Sequence, residues 1–572
     1  MSYFSKIKDI SWTEKTFKKY QYISLLLVLA GILISCIHLN YFYYSYDTPK
    51  WFVFDIITSL SIIYYFHNKQ KILFSYLGLL ILVFSYYMLI SIIWAPNKMA
   101  SVEFSLRFIN AVLFIYLLAK QFNKKQLEVT FLKMCFWSAL CFSLLFYFER
   151  YVLGHTNYNV GNYSPIGFMN NAGAVFNVWL PALVLYGIRQ YQTNNRTLFI
   201  FCLITIIAVV SILLEAATRA TIIGLITFEL IVFLIVFRKT KKQAFLYLAI
   251  STILTLGMLA YKLSDSLQSD RLEGKLIGLS TNIVAASSTR IKLYKNTLNM
   301  TLDNPMGVGI NNFEYIHPKY GRPGTKNASP YINEKQILIT PHNIVLKIYS
   351  ELGLIFGTVF VFILFYLLLQ AFINALKGNH TDKWLFVGLA ATLFHSMLSA
   401  VLLTPVSLFF SCMLISLILS RIQQPILKPR NSYTYIPVSI KALYFFVPVI
   451  FTTLIYSHYL SFTGYKQDNY KKMIQAIQLN PYNSRALYNL SYYELGKNRD
   501  AAQSLKYIDQ FLRSYPNHIS GLQIKAERHY QLKEYRQATQ TIDSVLAFYP
   551  SFKTAIRLKS QINNKNTTDV TK

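Results

Sequence analysis

The feature that most constrains this chain is a succession of apolar runs, each about as long as a lipid bilayer is thick. They begin near Tyr22, Trp51, Ile72, Phe104, Leu127, Phe168, Leu198, Ala220, Ala244, Ile344, Trp384, Val406 and Ala442. About 20 residues of helix cross the hydrocarbon, and in the absence of water only helices or closed barrels satisfy every backbone amide there. Unbroken runs of this length read as helices, so the expected fold is an all-α polytopic membrane helix bundle of about 12–13 spans. Composition agrees, since 54% hydrophobic and only 14% charged residues is not the balance of a soluble domain.

The formal net charge of +31 would point to nucleic acid in a soluble protein. Here the positive-inside rule accounts for it, so no nucleic-acid partner is expected. With a cytoplasmic N-terminus, about twenty Lys and Arg fall in short inner loops, among them Lys18, Lys71, Lys125, Arg189, Lys383 and Arg421. The short outer loops hold Lys50, Lys98, Arg150 and Arg219. Residues 1–20 then form a basic cytoplasmic segment, 21–261 membrane helices 1–9, 262–341 a large outer loop, and 342–462 helices 10–13. Residues 384–420 read as two helices broken at "LLTPVS", because both flanks, Lys383 and Arg421, are basic. The tail beyond is placed outside. The five cysteines lie inside apolar runs, without disulfide or zinc spacing.

Past about Tyr465 the apolar runs give way to amphipathic helical pattern. Pro481, Pro516 and Pro550 recur at intervals of 35 and 34 residues. A helix pair of this period closed by proline resembles the tetratricopeptide repeat, so residues 465–563 are expected to form an α-solenoid with a face for a protein partner. Residues 564–572 read as a disordered tail.

The chemistry concentrates in outer segments. In "ITPHNIVLKIYSELGLIFG" (339–357), Pro341 reads as the first turn of the tenth span, which puts His342 and Asn343 at its outer mouth. His342 is either an acid or base suited to neutral pH or an interfacial capping residue. Lys347 and Glu351 share a helix face and read as a structural pair. Arg219, one turn after Glu215, sits at the edge of hydrocarbon as a functional cation or as the partner of Glu215; Arg107, four after Glu103, is a similar case. "SSTRIKLYKNTLNMTLDNPMGVGINNF" reads as an amphipathic helix from about Thr289 to Leu302, with Ile291, Tyr294 and Leu298 on a face suited to rest on membrane lipids. Arg290, Lys292 and Lys295 would lie near headgroups, where arginine suits forked bonds to phosphate. "HTNYNVGNYSPIGFMNNAGAVFNVW" is rich in Asn and Gly, which suits sugar hydroxyls or helix capping. Asp303, Glu314 and Glu334 are scattered, so no metal site is expected.

In this order, "TRA" at a span start, "NPMGVGINNF", "HN" and "ELGLIFG" resemble the O-antigen ligase superfamily: lipopolysaccharide O-antigen ligases, O-antigen polymerases and bacterial protein O-oligosaccharyltransferases. The likeness spans about residues 20–460, with its motifs in 216–224 and 286–357; "ATRAT" departs from the Ser-Arg-Gly often found there. It implies a glycosyltransferase of the bacterial inner membrane. Such an enzyme moves a glycan from an undecaprenyl-diphosphate carrier to an acceptor hydroxyl on lipid A-core or an exported protein. The reaction would lie on the periplasmic face, where the repeat domain also would be, and would use no cofactor and no metal. His342 would orient or deprotonate the acceptor; Arg219 and Arg290 would hold the diphosphate; Asn343, Arg107 and Lys292 would support them. Three alternatives stay open: a polymerase, a non-catalytic transporter of lipid-linked glycan, and a scaffold for the repeat domain. Against transport, the span middles are nearly free of ionisable residues apart from His395.

Overall fold

The structure, a computed structural model, describes residues 14–68, 71–72, 75–154, 163–216, 283–322, 338–377, 380–399, 401–422, 434–435, 437–498 and 500–570. The runs expected to start at Ala220 and Ala244 lie outside them. Among the described residues seven helices are long and apolar enough to cross a membrane: Tyr76–Ile93, Lys98–Lys120, Lys124–Val152, Met169–Gln192, Arg196–Leu213, Ile344–Lys377 and Val438–Lys466. Gln21–Cys36 and Pro405–Leu419 are shorter apolar helices. The protein is thus an all-α polytopic membrane protein. Residues 384–420 form two helices, His380–Ser396 and Pro405–Leu419, and Pro405 opens the second, where its missing N–H is no loss.

Lipid tails are as apolar as leucine, so these helices associate by shape. Glu14–Cys36 packs on Lys124–Tyr147 through Gly31, where a Cβ would stand 2.6 Å from Met134 Cγ. The central core is aromatic, with Phe54, Phe114, Phe142, Phe176, Trp179, Phe409 and Phe410 buried together.

The two ends of the bundle differ. At one, Lys71–Ile72 pairs antiparallel with Thr434–Tyr435, and buried Glu128 accepts from Arg189, Arg421 and Thr381, while Arg421 also reaches Asp382 at 2.8 Å. These are loops that the charge rule groups together. At the other end, Lys50 is fully buried and donates to the carbonyls of Ile37, Tyr46 and Pro165. That ammonium ties the first connection to a small hairpin, Tyr163–Ser164 paired with Gly167–Phe168.

Beyond the last span come six helices, each packed on the next: Tyr470–Leu479, Ser484–Tyr493, Ala501–Ser514, Ile519–Gln531, Tyr535–Phe548 and Lys553–Val570. Pro481, Pro516 and Pro550 fall in the connections, and Asn483 and His518, two residues after the first two prolines, cap the following helices with their side chains. The last helix runs into the stretch expected to be a disordered tail; Phe552, Ala555, Leu558 and Ile562 anchor it, and no Gly or Pro stops it afterwards. The first repeat helix is pinned to the final span, since Ser457 Oγ donates to Ala476 O at 2.8 Å and Asn483 Nδ2 donates to Ser457 Oγ at 2.8 Å. The repeat helices also reach the same end of the bundle as Lys50: Asn489 Nδ2 donates to Tyr43 Oη at 2.6 Å, and Tyr515 Oη donates to Glu314 at 2.9 Å.

Candidate functional site

The "TPHN" stretch does not form the helix start that proline suggests. The regular helix begins at Ile344, and Asn343 is its cap, accepting the Leu346 N–H at 3.0 Å. An asparagine side chain satisfies an end amide that proline cannot, so Pro341 stands three residues ahead, in the approach. Between them His342 has φ 55°, a left-handed conformation that costs energy for a residue with a Cβ. Burial, and then the charge of Arg290, hold its imidazole below the ordinary 6.5. It is therefore neutral at neutral pH, with a lone pair free to accept a proton. Among the described residues no side chain hydrogen-bonds its ring.

Arg290 lies on the helix Ile283–Asp303, which starts earlier than the pattern indicates. Its Nη1 donates to the Leu398 carbonyl at 2.7 Å, Tyr294 Oη donates to the Met397 carbonyl at 3.4 Å, and Asn343 Nδ2 donates to that same carbonyl at 3.0 Å. Three side chains from two helices thus hold one turn, the exit of His380–Ser396. No carboxylate among the described residues pairs with Arg290; its charge meets the Leu398 carbonyl and the Tyr294 hydroxyl. Just before that turn stands His395, fully buried, with Nδ1 2.9 Å from the Asn177 amide nitrogen.

The glycine motifs explain how these groups meet. The helix Ile344–Lys377 is kinked at Gly353, which has φ 77°. Into the kink docks the turn "NPMGVG": Val308 N donates to Ser350 O at 3.1 Å, Gly309 N to Glu351 O at 3.0 Å, and Leu354 N to Pro305 O at 3.0 Å. A Cβ on Gly353 would come within 2.2 Å of Pro305 O, and one on Gly307 within 2.3 Å of Glu351 O. Only glycine permits that approach. "GVG" and "ELG" are two halves of one backbone junction, which fixes the helix bearing Arg290 against the one that follows His342. Glu351, buried, accepts from Lys347 at 2.6 Å and from the Phe313 amide at 3.1 Å, so the Lys347–Glu351 pair is structural as expected.

The other sequence candidates are placed differently. Arg107 is buried, bonded to Asp55 at 2.7 Å and Glu103 at 2.8 Å and stacked on Trp51; its donors are occupied within the bundle. Lys292 is exposed and, two residues from Arg290, points about 160° away round the helix. Arg219 lies outside the described residues. On the same helix Ile291 (58%), Leu298 (49%) and Leu302 (68%) are exposed, whereas Leu293, Thr297 and Met300 face inward. Tyr294 leaves the expected lipid face because its hydroxyl has the Met397 carbonyl to reach. His395 and Asn177 were not legible as site residues. Asn177 belongs to the Asn-rich stretch, but its separation of 218 residues from His395 hides the contact. Among the described residues no cluster of three acidic, His or Cys side chains is placed to hold a metal.

No curated protein and no solved structure matches this chain. The family model described as O-antigen ligase matches residues 203–362, the segment that carries Arg290, His342, Asn343 and both halves of the glycine junction, and supports a membrane glycan-transfer protein of the ligase and polymerase superfamily.

Proposed function

We propose that this protein transfers a glycan from an undecaprenyl-diphosphate carrier to an acceptor hydroxyl at the end of the bundle that carries His342, on the periplasmic face of a bacterial inner membrane. The observation that carries the reading is a neutral, strained histidine beside a guanidinium that has no carboxylate partner among the described residues. His342 accepts the proton of the acceptor hydroxyl as its oxygen attacks the anomeric carbon. The bond from that carbon to the diphosphate breaks, and the diphosphate leaves as an anion held by Arg290 and Arg219. Such a leaving group needs cationic donors and positioning more than a Lewis acid, so no metal enters the scheme. Asn343 keeps His342 in place by capping the helix behind it. The exposed apolar face of Ile291, Leu298 and Leu302, continued by Met306, rests at the lipid surface with Lys292 and Lys295 among headgroups, which brings the carrier's diphosphate to the depth of Arg290.

The C-terminal helices form a tetratricopeptide-like solenoid. Their contacts with Glu314 and Tyr43 support a polypeptide or another large acceptor over a small one. The test is to express wild type and His342→Ala in a host strain lacking its own copy. Glycans on lipopolysaccharide, on exported proteins and on the carrier itself are then compared by gel and mass spectrometry. Loss of transfer by at least about a hundredfold, with the variant still in the membrane, is expected. The depleted pool names the acceptor, and shortened carrier-linked chains identify a polymerase. Unchanged glycans in all three pools overturn the proposal.

A further inference from the structure

His395 does not belong to the scheme above, yet its surroundings are built. It is fully buried near the end of its helix, and among the described residues its Nε2 is a buried nitrogen with no hydrogen-bond partner. A buried polar atom left unpaired is costly, and folded proteins rarely keep one without a use. The tautomer follows from Asn177. Its amide nitrogen, 2.9 Å from Nδ1, can only donate, so Nδ1 accepts and the neutral ring carries its proton on Nε2. The location follows from the backbone. Leu398 N donates to the His395 carbonyl at 2.9 Å, and the Leu398 carbonyl is the one that Arg290 holds at 2.7 Å. Asn343, the neighbour of His342, holds the adjacent Met397 carbonyl.

We infer that His395 is a further diphosphate contact, its Nε2–H donating to an oxygen of the carrier's diphosphate alongside Arg290. This rests on the transfer reading above. A neutral N–H beside a guanidinium suits an anionic oxygen: a second full cation there would repel Arg290, whereas an uncharged donor adds a directed bond without that repulsion. Asn177 is then a positioning residue, which keeps the proton on Nε2. This also accounts for an amide on the Met169–Gln192 helix being buried against a histidine where a hydrocarbon pair would pack at lower cost.

The test uses the full chain in detergent micelles and farnesyl diphosphate as the probe, with binding read by titration calorimetry and folding by thermal melting. His395→Asn keeps an amide where Nδ1 stands and removes the Nε2 donor; His395→Gln places an amide N–H near Nε2 and gives up the Asn177 contact. His395→Asn is expected to weaken binding about tenfold, Arg290→Gln by at least as much, and His395→Gln by less than about threefold. Asn177→Asp, which draws the proton to Nδ1 and leaves Nε2 a bare acceptor, is expected to give the tenfold loss with His395 untouched. Weakening by Arg290→Gln with wild-type affinity in His395→Asn and Asn177→Asp overturns the inference and leaves the clamp standing. Loss in His395→Gln with affinity kept in His395→Asn reduces His395 to a packing partner of Asn177 and also overturns it. Absence of probe binding in wild type, or affinity unchanged in Arg290→Gln, overturns the diphosphate reading itself, and the inference with it.

Discussion

The Glu128 cluster and the turn held by Arg290 treat their charges in opposite ways. Around Glu128 each cation meets a carboxylate: Arg189 and Arg421 share Glu128, and Arg421 also holds Asp382. Beside His342, Arg290 meets no carboxylate among the described residues and donates to the Leu398 carbonyl, although Lys347 on the following helix is paired with buried Glu351. A buried charge paired inside the fold is structural, because removing either partner strands the other in a low dielectric. A charge answered by a dipole alone keeps most of its field and is free to hold an anion from outside. The Glu128 cluster is therefore built for integrity and the Arg290 turn for binding.

The largest effect that tests this contrast is a pair of substitutions. Glu128→Ala leaves Arg421, whose side chain is 11% exposed, without one of its two carboxylates, and Arg189 without its only one among the described residues. A loss of about 3 kcal/mol in stability is expected, seen as a lower melting temperature and less protein in the membrane. Arg290→Gln should lower stability by about 1 kcal/mol for its bond to the Leu398 carbonyl, well below the Glu128 loss, and lower transfer about a hundredfold. Equal destabilisation by the two would erase the distinction between the two regions.

That distinction was only half legible in the sequence. Apolar run lengths give the helices, because the bilayer fixes both the length and the solvent; eleven of the thirteen expected starts fall on described residues, and each corresponds to a helix there. The charge rule groups Arg189, Lys383 and Arg421 without indicating that Glu128 would join two of them. His342 and Arg290 stand in the motifs that the sequence singles out. Pairings across the chain were not: Arg290 with Leu398, Asn177 with His395 and Tyr515 with Glu314 are each over 100 residues apart, and no periodicity records them. "GVG" is instructive in another way. Read locally it is a weak nucleotide signal, yet its glycines are required by a second backbone that arrives some 40 residues later.

That junction supplies the next test. Gly353→Ala adds a Cβ 2.2 Å from Pro305 O at φ 77°, and neither backbone can move without breaking the Leu354–Pro305 and Val308–Ser350 bonds. A loss of about 2 kcal/mol is expected, confined to the outer segment. Limited proteolysis should then cut near residues 304–312 while the Glu128 end stays protected. Uniform loss of protection would show that the two ends unfold as one.

A smaller effect sharpens the chemistry. Burial and the charge of Arg290 both lower the His342 pKa, so the base form persists below pH 6.5. The acid limb of the pH–rate profile should fall below that value, and the residual activity of Arg290→Gln should show the limb moved upward, since a repelling cation has been removed. A limb above 6.5 in wild type would mean that a bound anion raises the His342 pKa by more than burial and Arg290 lower it.

The smallest expected effect is that of Lys292→Gln. Lys292 shares a helix with Arg290 but is exposed on a different side, next to Ile291 and away from the turn at Leu398. Its charge reaches the carrier only through the lipid surface, where a single lysine contributes about 1 kcal/mol to attraction that a polytopic protein does not need. Transfer in detergent should therefore change by less than about twofold, and added salt should remove what change there is, because an exposed charge is screened within about 10 Å. A loss as large as that of Arg290→Gln would mean that phosphate wraps both sides of this helix. The binding region would then extend beyond the Leu398 turn, round the helix, to the membrane surface itself.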